Sequence, residues 1–236
     1  MHASQLKTEN RKPSQPMLLL ALDTATETGS LALAAGDQVL VEYSLESPNA
    51  FLTCLMPGVA AILRNTGREI ADLTAVAVST GPGNFTGLRI GLATAKTLAW
   101  SLNCPLVPVP TLEVLAAQFP FHPHPVGVVM DAKRGEVFWG LFRCPEDWPQ
   151  VLEGPLRLPV EELPARLAAP LLLTGPGLEV HQEVLAPQIS PEIVWAPQPM
   201  RRPRASTLAR LARHRLEQGL TANPAQLTPT YLRPAL

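Results

Sequence analysis

The residues best placed to do chemistry form one run, Thr80-Gly81-Pro82-Gly83-Asn84-Phe85-Thr86-Gly87-Leu88-Arg89-Ile90-Gly91. It follows an apolar segment, Ala75 to Val78, and opens a helical pattern from Leu92 to Leu102. Strand, glycine-rich turn and helix bring backbone N–H groups to a helix N-terminus, where a phosphate can be held. The same lack of side chains lets another helix come close instead. No Lys-Ser or Lys-Thr follows the last glycine, so the run is not a P-loop. Its G-x-G-x-x-x-G spacing is not the dinucleotide fingerprint. Nucleotide contact and tight packing both remain open on these letters. Asn84 or Thr86 is expected to cap the helix.

Downstream, Gly87, Gly91, Ala95 and Ala99 recur at i+4 steps, a stripe of small residues down one helix face. Two glycines inside a helix cost about 1 kcal/mol each relative to alanine, so a close contact is expected to offset them. Its partner is a helix of the same lobe or one of another subunit. Metal chemistry finds little support. The five histidines include neither H-x-x-x-H nor H-E-x-x-H, and His122 and His124 flank Pro123 in a proline-rich loop. The three cysteines are far apart and form no C-x-x-C pair, which reads as reduced thiols in a cytosolic protein.

The elements that must position these residues occur twice. Leu18 to Leu22 is an apolar strand ending in Asp23, followed by a polar turn and two further strands, Ser30 to Ala34 and Gln38 to Ser44. Val126 to Met130 is likewise apolar and ends in Asp131, and a polar turn leads into an alternating strand, Glu136 to Phe142. Later in each half an apolar run meets Thr-Gly-Pro-Gly: Thr80 to Gly83, and Thr174 to Gly177 before a helical stretch, Leu178 to Leu185. The pattern predicts an α/β protein of two duplicated lobes, each a mixed sheet with helices packed on it. The expected lobes are residues 17–110 and 111–205. Residues 206–236 supply a last helix and tail that pack back on them. Residues 1–16 are polar, lack an apolar signal core, and read as a disordered extension.

The 236 residues are 46% hydrophobic and 17% charged, with a net charge of −1, so the chain as a whole does not attract nucleic acid. The 26 prolines fall mostly outside the periodic segments, as stiff loops require. No apolar run is long enough to span a bilayer. The basic cluster, Arg201, Arg202, Arg204, Arg210, Arg213 and Arg215, reads first as a solvated helix face.

Four segments together resemble the bacterial TsaB (YeaZ) family over nearly the whole length from Met17. They are Leu20 to Thr26, Gly81 to Lys96, Asp131 to Trp139 and Thr230 to Arg233. The resemblance implies the actin/Hsp70/sugar-kinase fold. It also implies a cytoplasmic role in making N6-threonylcarbamoyladenosine beside the tRNA anticodon, as a non-catalytic scaffold that binds and activates TsaD. TsaE joins that pair, tRNA is met through the complex, and the free protein can pair with itself as a homodimer. TsaB proteins meet TsaD through helices of the N-terminal lobe. The resemblance therefore favours another subunit as the partner of Gly87, Gly91, Ala95 and Ala99, with Phe51 and Leu55 on a neighbouring apolar face. Many relatives carry a His-Ser pair near Asn49 to Pro57; this chain has Ala50, Phe51 and Leu52, so no metal ligands and no catalytic residues are expected.

In this fold a nucleotide is usually met by an acid after each lobe's first strand and by glycine-rich turns. Asp23, Asp131, Lys133, Gly175 and Gly177 are the corresponding cleft residues here, and ATP or ADP at the junction of the complex is the nucleotide they would serve. Glu27 in the first turn would repel a phosphate. The arginine cluster would add to tRNA binding within the complex. Two other readings compete: an independent ATP-binding phosphotransferase of the same fold, and a metallopeptidase.

Overall fold

The computed structural model describes residues 17–45 and 50–232, without the side chains of residues 45 and 50–52. The expected N-terminal extension and the side chain of Phe51 lie outside the described residues. The first lobe runs β1 (Leu18–Asp23), β2 (Gly29–Ala35), β3 (Gln38–Leu45), α1 (Ala50–Asn65), β4 (Ala75–Ser79), α2 (Phe85–Ser101) and β5 (Leu106–Val109). The second runs α3 (Thr111–Ala116), β6 (Val126–Lys133), β7 (Glu136–Arg143), β8 (Gln150–Pro159), β9 (Leu171–Thr174), α4 (Gly177–Val180), α5 (Gln182–Leu185) and β10 (Ile193–Trp195). A last helix, α6 (Ala205–Glu217), returns to the first lobe.

The two sheets repeat strand for strand. Their orders are β3-β2-β1-β4-β5 and β10-β9-β6-β7-β8, so β6 stands where β1 stands and β9 where β4 stands. In each, the first three strands form an antiparallel meander and the last two join in parallel. The parallel pairs need crossovers, and the crossovers place helices on the sheet faces. That is why β1 is apolar from Leu18 to Leu22 rather than alternating: both its faces are buried.

The two faces of β1 nevertheless differ in size. Leu18, Leu20 and Leu22 point toward α1 and α2, where they pack with Ile62, Leu92 and Leu98. Leu19 and Ala21, with Ala32, Ala34, Ala75 and Ala77 of neighbouring strands, face α6, which answers with Ala205, Ala209 and Ala212. Small side chains on both surfaces let Leu208 and Leu211 of α6 pack directly on the sheet; the other face is filled mainly by leucines. The second lobe fills one face with Leu112, Leu115, Val128 and Met130 and the other with Val129, Trp139 and Leu173. The helical stretch expected from Leu178 to Leu185 is broken into α4 and α5 at His181.

Polar contacts tie α6 to the second lobe. Arg210 Nη1 donates to Asp147 Oδ1 at 2.9 Å, and Arg210 Nη2 to the Ala117 carbonyl. Arg215 Nη2 donates to Glu113 Oε2 at 2.6 Å. His214 stacks on Trp148 with ring centroids 3.4 Å apart.

Candidate functional site

A cleft of about 1030 Å³ opens between the lobes. Its walls are the β1–β2 turn (Ala25 to Thr28), the glycine turn and first turn of α2 (Pro82 to Thr86, Arg89), the β6–β7 end (Met130 to Lys133, Phe138), α4 with Pro176, and the C-terminal tail.

The two glycine turns are built alike. Gly81 and Gly175 have φ of +104° and +109°, a left-handed conformation that favours glycine. Each turn has a glycine pressed on backbone, Gly83 on the β1–β2 turn and Gly175 on β6. A Cβ on Gly83 would lie 2.1 Å from the Ala25 carbonyl oxygen, and one on Gly175 2.2 Å from that of Val129. The glycines serve backbone-to-backbone contact. Gly175 and Gly177 are buried against β6 and do not line the cleft, so their expected place beside a nucleotide is corrected. Asn84, as expected, caps α2: its Oδ1 accepts from Gly87 N–H at 2.9 Å.

The aspartates diverge. Asp23 is 1% exposed and absent from the cleft wall. Its Oδ1 accepts from Ala25 N–H at 3.1 Å. Its Oδ2 lacks a hydrogen bond of normal geometry, although the Ser79 hydroxyl lies beside it. Burial pushes this carboxyl up to about 6, against the smaller opposing pull of the Ala25 amide and Ser79. As a cleft residue Asp23 is therefore also corrected: the turn seals it in.

Asp131 does line the cleft, and so does Lys133. Partial burial would raise the Asp131 carboxyl, but Lys133, through its ammonium and its N–H, and His181 outweigh that and hold it below its usual value. Lys133 Nζ lies 2.9 Å from Asp131 Oδ2 and 3.2 Å from Glu27 Oε1, crossing from the second lobe to the first. His181 Nε2 is 3.2 Å from Asp131 Oδ1. The two carboxylates thus meet a lysine between them, and its own pKa is raised, first by its hydrogen bond to Asp131.

The small-residue stripe faces inward. Gly87, Gly91, Ala95 and Ala99 are all buried within the first lobe. Thr24 Oγ1 donates to the Gly87 carbonyl at 2.7 Å, and a Cβ on Gly91 would lie 2.1 Å from that same Oγ1. Gly87 and Gly91 thus face Thr24 of the β1–β2 turn, and Ala95 and Ala99 pack into the first-lobe core with β1, β4 and α1; these residues are buried and present no exposed interface. Leu55 is corrected likewise: it is 3% exposed and belongs to the core. The exposed face of α2 is the one carrying Arg89, Ala93, Thr97 and Trp100, beside exposed Thr53, Met56 and Ala60 on α1. Trp100 is 69% and Met56 46% exposed.

The arginine cluster is largely committed to the chain itself. Arg204, Arg210, Arg213 and Arg215 pair with Glu42, Asp147, Asp37 and Glu113, and Arg201 Nε donates to the Ala196 carbonyl. It is neither a solvated face nor a free basic patch. Burial pushes the thiols of Cys104 and Cys144 up to about 11, away from the thiolate form.

Sequence reasoning missed three participants. His181 looked like an ordinary helical residue, Thr24 like part of a turn, and Tyr231 like part of a tail. A signal existed only for Tyr231, one of two tyrosines in the chain, set among polar residues and proline.

Comparison with known proteins fits this architecture. The chain is 31% identical to the tRNA threonylcarbamoyladenosine biosynthesis protein TsaB of Bacillus subtilis over 227 residues, which is 92% of this chain and 94% of that one. The chain belongs to the TsaB family. The protein of the same description from Escherichia coli is 36% identical over 133 residues, 56% of this chain and 57% of that one. The family model described as "TsaD: tRNA N6-adenosine threonylcarbamoyltransferase" matches residues 47–147. The crystal structure of YeaZ from Pseudomonas aeruginosa superposes with a TM-score of 0.78 at 28% identity, covering 92% of this chain and all of that one. The ADPNP-bound activator of 2-hydroxyisocaproyl-CoA dehydratase from Clostridium difficile, at 10% identity and a TM-score of 0.50 over 86% of this chain and 97% of that one, shares the fold alone. The doubled sheet is that of the actin/Hsp70/sugar-kinase fold.

Among the described residues no helix is long and apolar enough to cross a membrane.

Proposed function

We propose that this chain acts in the formation of tRNA N6-threonylcarbamoyladenosine as a non-catalytic subunit that binds and activates the transferase TsaD. Membership of the TsaB family supports the pathway. The match of residues 47–147 to the TsaD model supports common descent with the catalytic subunit, and hence a pseudo-symmetric pairing of the two. The observation that carries the non-catalytic part is the state of the cleft's acids. Asp23 is sealed behind the glycine turn, and Asp131 is held by Lys133 and His181. Glu27 opposes any phosphate at the mouth. A phosphotransferase needs an acid free to meet a metal–phosphate group or a substrate hydroxyl.

The partner surface in this reading is the exposed face of α1 and α2. Trp100 and Met56 supply apolar anchors, and exposed Ala60, Ala93 and Thr97 let a partner helix approach. A homodimer through the same face in the free protein, TsaE joining the TsaD pair, and contact with tRNA through the complex belong to the same proposal. ATP or ADP would then sit at a junction between subunits rather than in this cleft.

The test is in vitro modification of tRNA by TsaD, TsaE and the enzyme supplying threonylcarbamoyl-adenylate, with and without this chain. Modification is expected only with the chain present, and Trp100→Asp should lower TsaD affinity at least tenfold while unfolding normally. Modification independent of the chain, with partners shown active, would reject the scaffold role. ATP binding by the chain alone in calorimetry would reopen the phosphotransferase reading.

A further inference from the structure

The chain does not end at α6. After Glu217, Gly219 turns the backbone with φ of +73°, and Ala222 N–H donates to the Leu106 carbonyl at 2.8 Å, covering the outer edge of β5. Asn223 then bends the segment through an Asx turn: its Oδ1 accepts from Ala225 N–H at 2.9 Å. Leu227 packs on the first-lobe core, and its carbonyl accepts from Lys96 Nζ at 2.9 Å. The segment thus follows α2 back toward its N-terminus.

There it meets the glycine turn. Thr230 N–H donates to the Thr80 carbonyl at 2.8 Å, and the Thr230 carbonyl lies so near Gly81 that a Cβ there would approach it to 2.9 Å. Tyr231 sets its ring 5.3 Å from that of Phe85, and its hydroxyl accepts from Arg89 Nε at 3.0 Å. The Arg89 guanidinium in turn lies 3.8 Å over the Phe85 ring. One residue later the chain has changed lobes: Leu232 packs against the cluster that contains Met130, Ala132 and Phe138.

We propose that residues 219–232 form a strap that fixes the separation of the two lobes, with Leu232 as its latch across the cleft and Tyr231, clasped by Phe85 and Arg89 of the first lobe, holding that latch in place. The strap is anchored to the first lobe by the backbone bonds of Ala222 and Thr230, with Lys96 on the Leu227 carbonyl between them, and ends in an apolar contact with the second. Its latch lies at the cleft mouth, on the opposite side of the glycine turn from sealed Asp23. Apart from the latch, the described contact across the mouth is the open Glu27–Lys133 pair, and such pairs are worth little in water. The apolar Leu232 contact is the stronger of the two. Released, it leaves the lobes joined through α6 and through buried α3, whose Thr111 exchanges hydrogen bonds with Gly81, so the mouth can widen while the base of the cleft stays fixed. This inference does not depend on the proposed pairing with TsaD.

The test measures the lobe separation. In the full-length chain carrying Cys54→Ser, spin labels are placed at Arg68→Cys and Glu162→Cys, one exposed site on each lobe. Cys104→Ser and Cys144→Ala are carried as well, so that only the two introduced thiols take the label. The intact strap is expected to give one narrow distance distribution by double electron–electron resonance. Tyr231→Ala with Leu232→Ala, and separately a chain ending at Leu227, should both give a longer or clearly broader one, with unchanged far-UV circular dichroism. An unchanged distribution in both would overturn the proposal and leave the tail as a cover for the edge of β5. Should the truncated chain fail to fold, the double substitution decides. Loss of native structure in both would also overturn it, because the tail would then belong to the first lobe's core.

Discussion

Thr80-Gly81-Pro82-Gly83 and Thr174-Gly175-Pro176-Gly177 stand at matching strand–helix junctions of two matching sheets. Both carry a left-handed glycine, and both press on backbone of their own lobe, the first on the β1–β2 turn at Ala25 and the second on β6 at Val129. The helices they open are not alike. The first junction opens the 17-residue α2, capped by Asn84, whose N–H also donates to the Ala25 carbonyl at 2.7 Å. That closes the end of β1 over Asp23. The second opens the four-residue α4, which stops at His181, and His181 turns to Asp131 instead. Junctions of the same four letters therefore leave one acid sealed and the other open; their backbones differ, Gly81–Pro82 being cis and Gly175–Pro176 trans, and so do the helices beyond them. A doubled fold can in this way keep its strand order while its two strand-end acids come to differ.

The comparison can be broken most severely at the glycines themselves. Gly83→Ala and Gly175→Ala should each destabilise the protein by about 3 kcal/mol or more, since a carbonyl oxygen cannot move aside as a side chain can. Urea unfolding would show it, and tolerance of either substitution would end the equivalence of the two junctions.

The aspartates should respond with opposite sign. Asp23 holds its proton up to about pH 6 in the native state but only to about 3.8 when unfolded. Stability therefore falls as pH rises between those values and stays lower above them. Asp23→Asn should stabilise the protein by up to about 3 kcal/mol at pH 7.5 and change little at pH 4. Asp131 is held below its usual value, so its contribution is present above the unfolded value and is lost as pH falls through the folded one. Asp131→Asn should destabilise by no more than about 1 kcal/mol at pH 7.5. Equal and like-signed effects in a pH series of unfolding curves would mean that the two sites are not distinguished by burial.

A smaller effect tests the seal from the α2 side. Gly91→Ala should cost about 2 kcal/mol by pushing on Thr24 Oγ1, and adding Thr24→Ala should return part of it. Additive losses would place the strain elsewhere. Least of all, Lys133→Met removes an open ion pair with Glu27 and a half-buried one with Asp131 and should alter stability by about 0.5 kcal/mol, most visibly at low salt.

Much of this architecture was legible in local pattern. Apolar runs of strand length, each ending in aspartate, and a repeated Thr-Gly-Pro-Gly were enough to predict two duplicated α/β lobes, because strand period and turn chemistry act within a few residues. The candidate site was half legible. Asp131 and Lys133 line the cleft, whereas Asp23, Gly175 and Gly177 stand behind it. A strand-end acid reads the same whether or not a later helix closes over it.

The stripe of Gly87, Gly91, Ala95 and Ala99 shows the same division. Its spacing required something to come close along that face; only the packed lobe decided that this was Thr24 of the β1–β2 turn and the first lobe's own core. The arginines of α6 were a charge cluster in sequence and became partners of Glu42, Asp147, Asp37 and Glu113 once the helix lay across both lobes. Sequence by itself determined the elements, their duplication and the places where backbone must approach backbone, since each depends on neighbours in the chain. Tertiary structure alone decided which acid is buried, which face of α2 is free, and where the tail ends. Those depend on contacts between residues as far apart as Arg89 and Tyr231, for which no local period carries a signal.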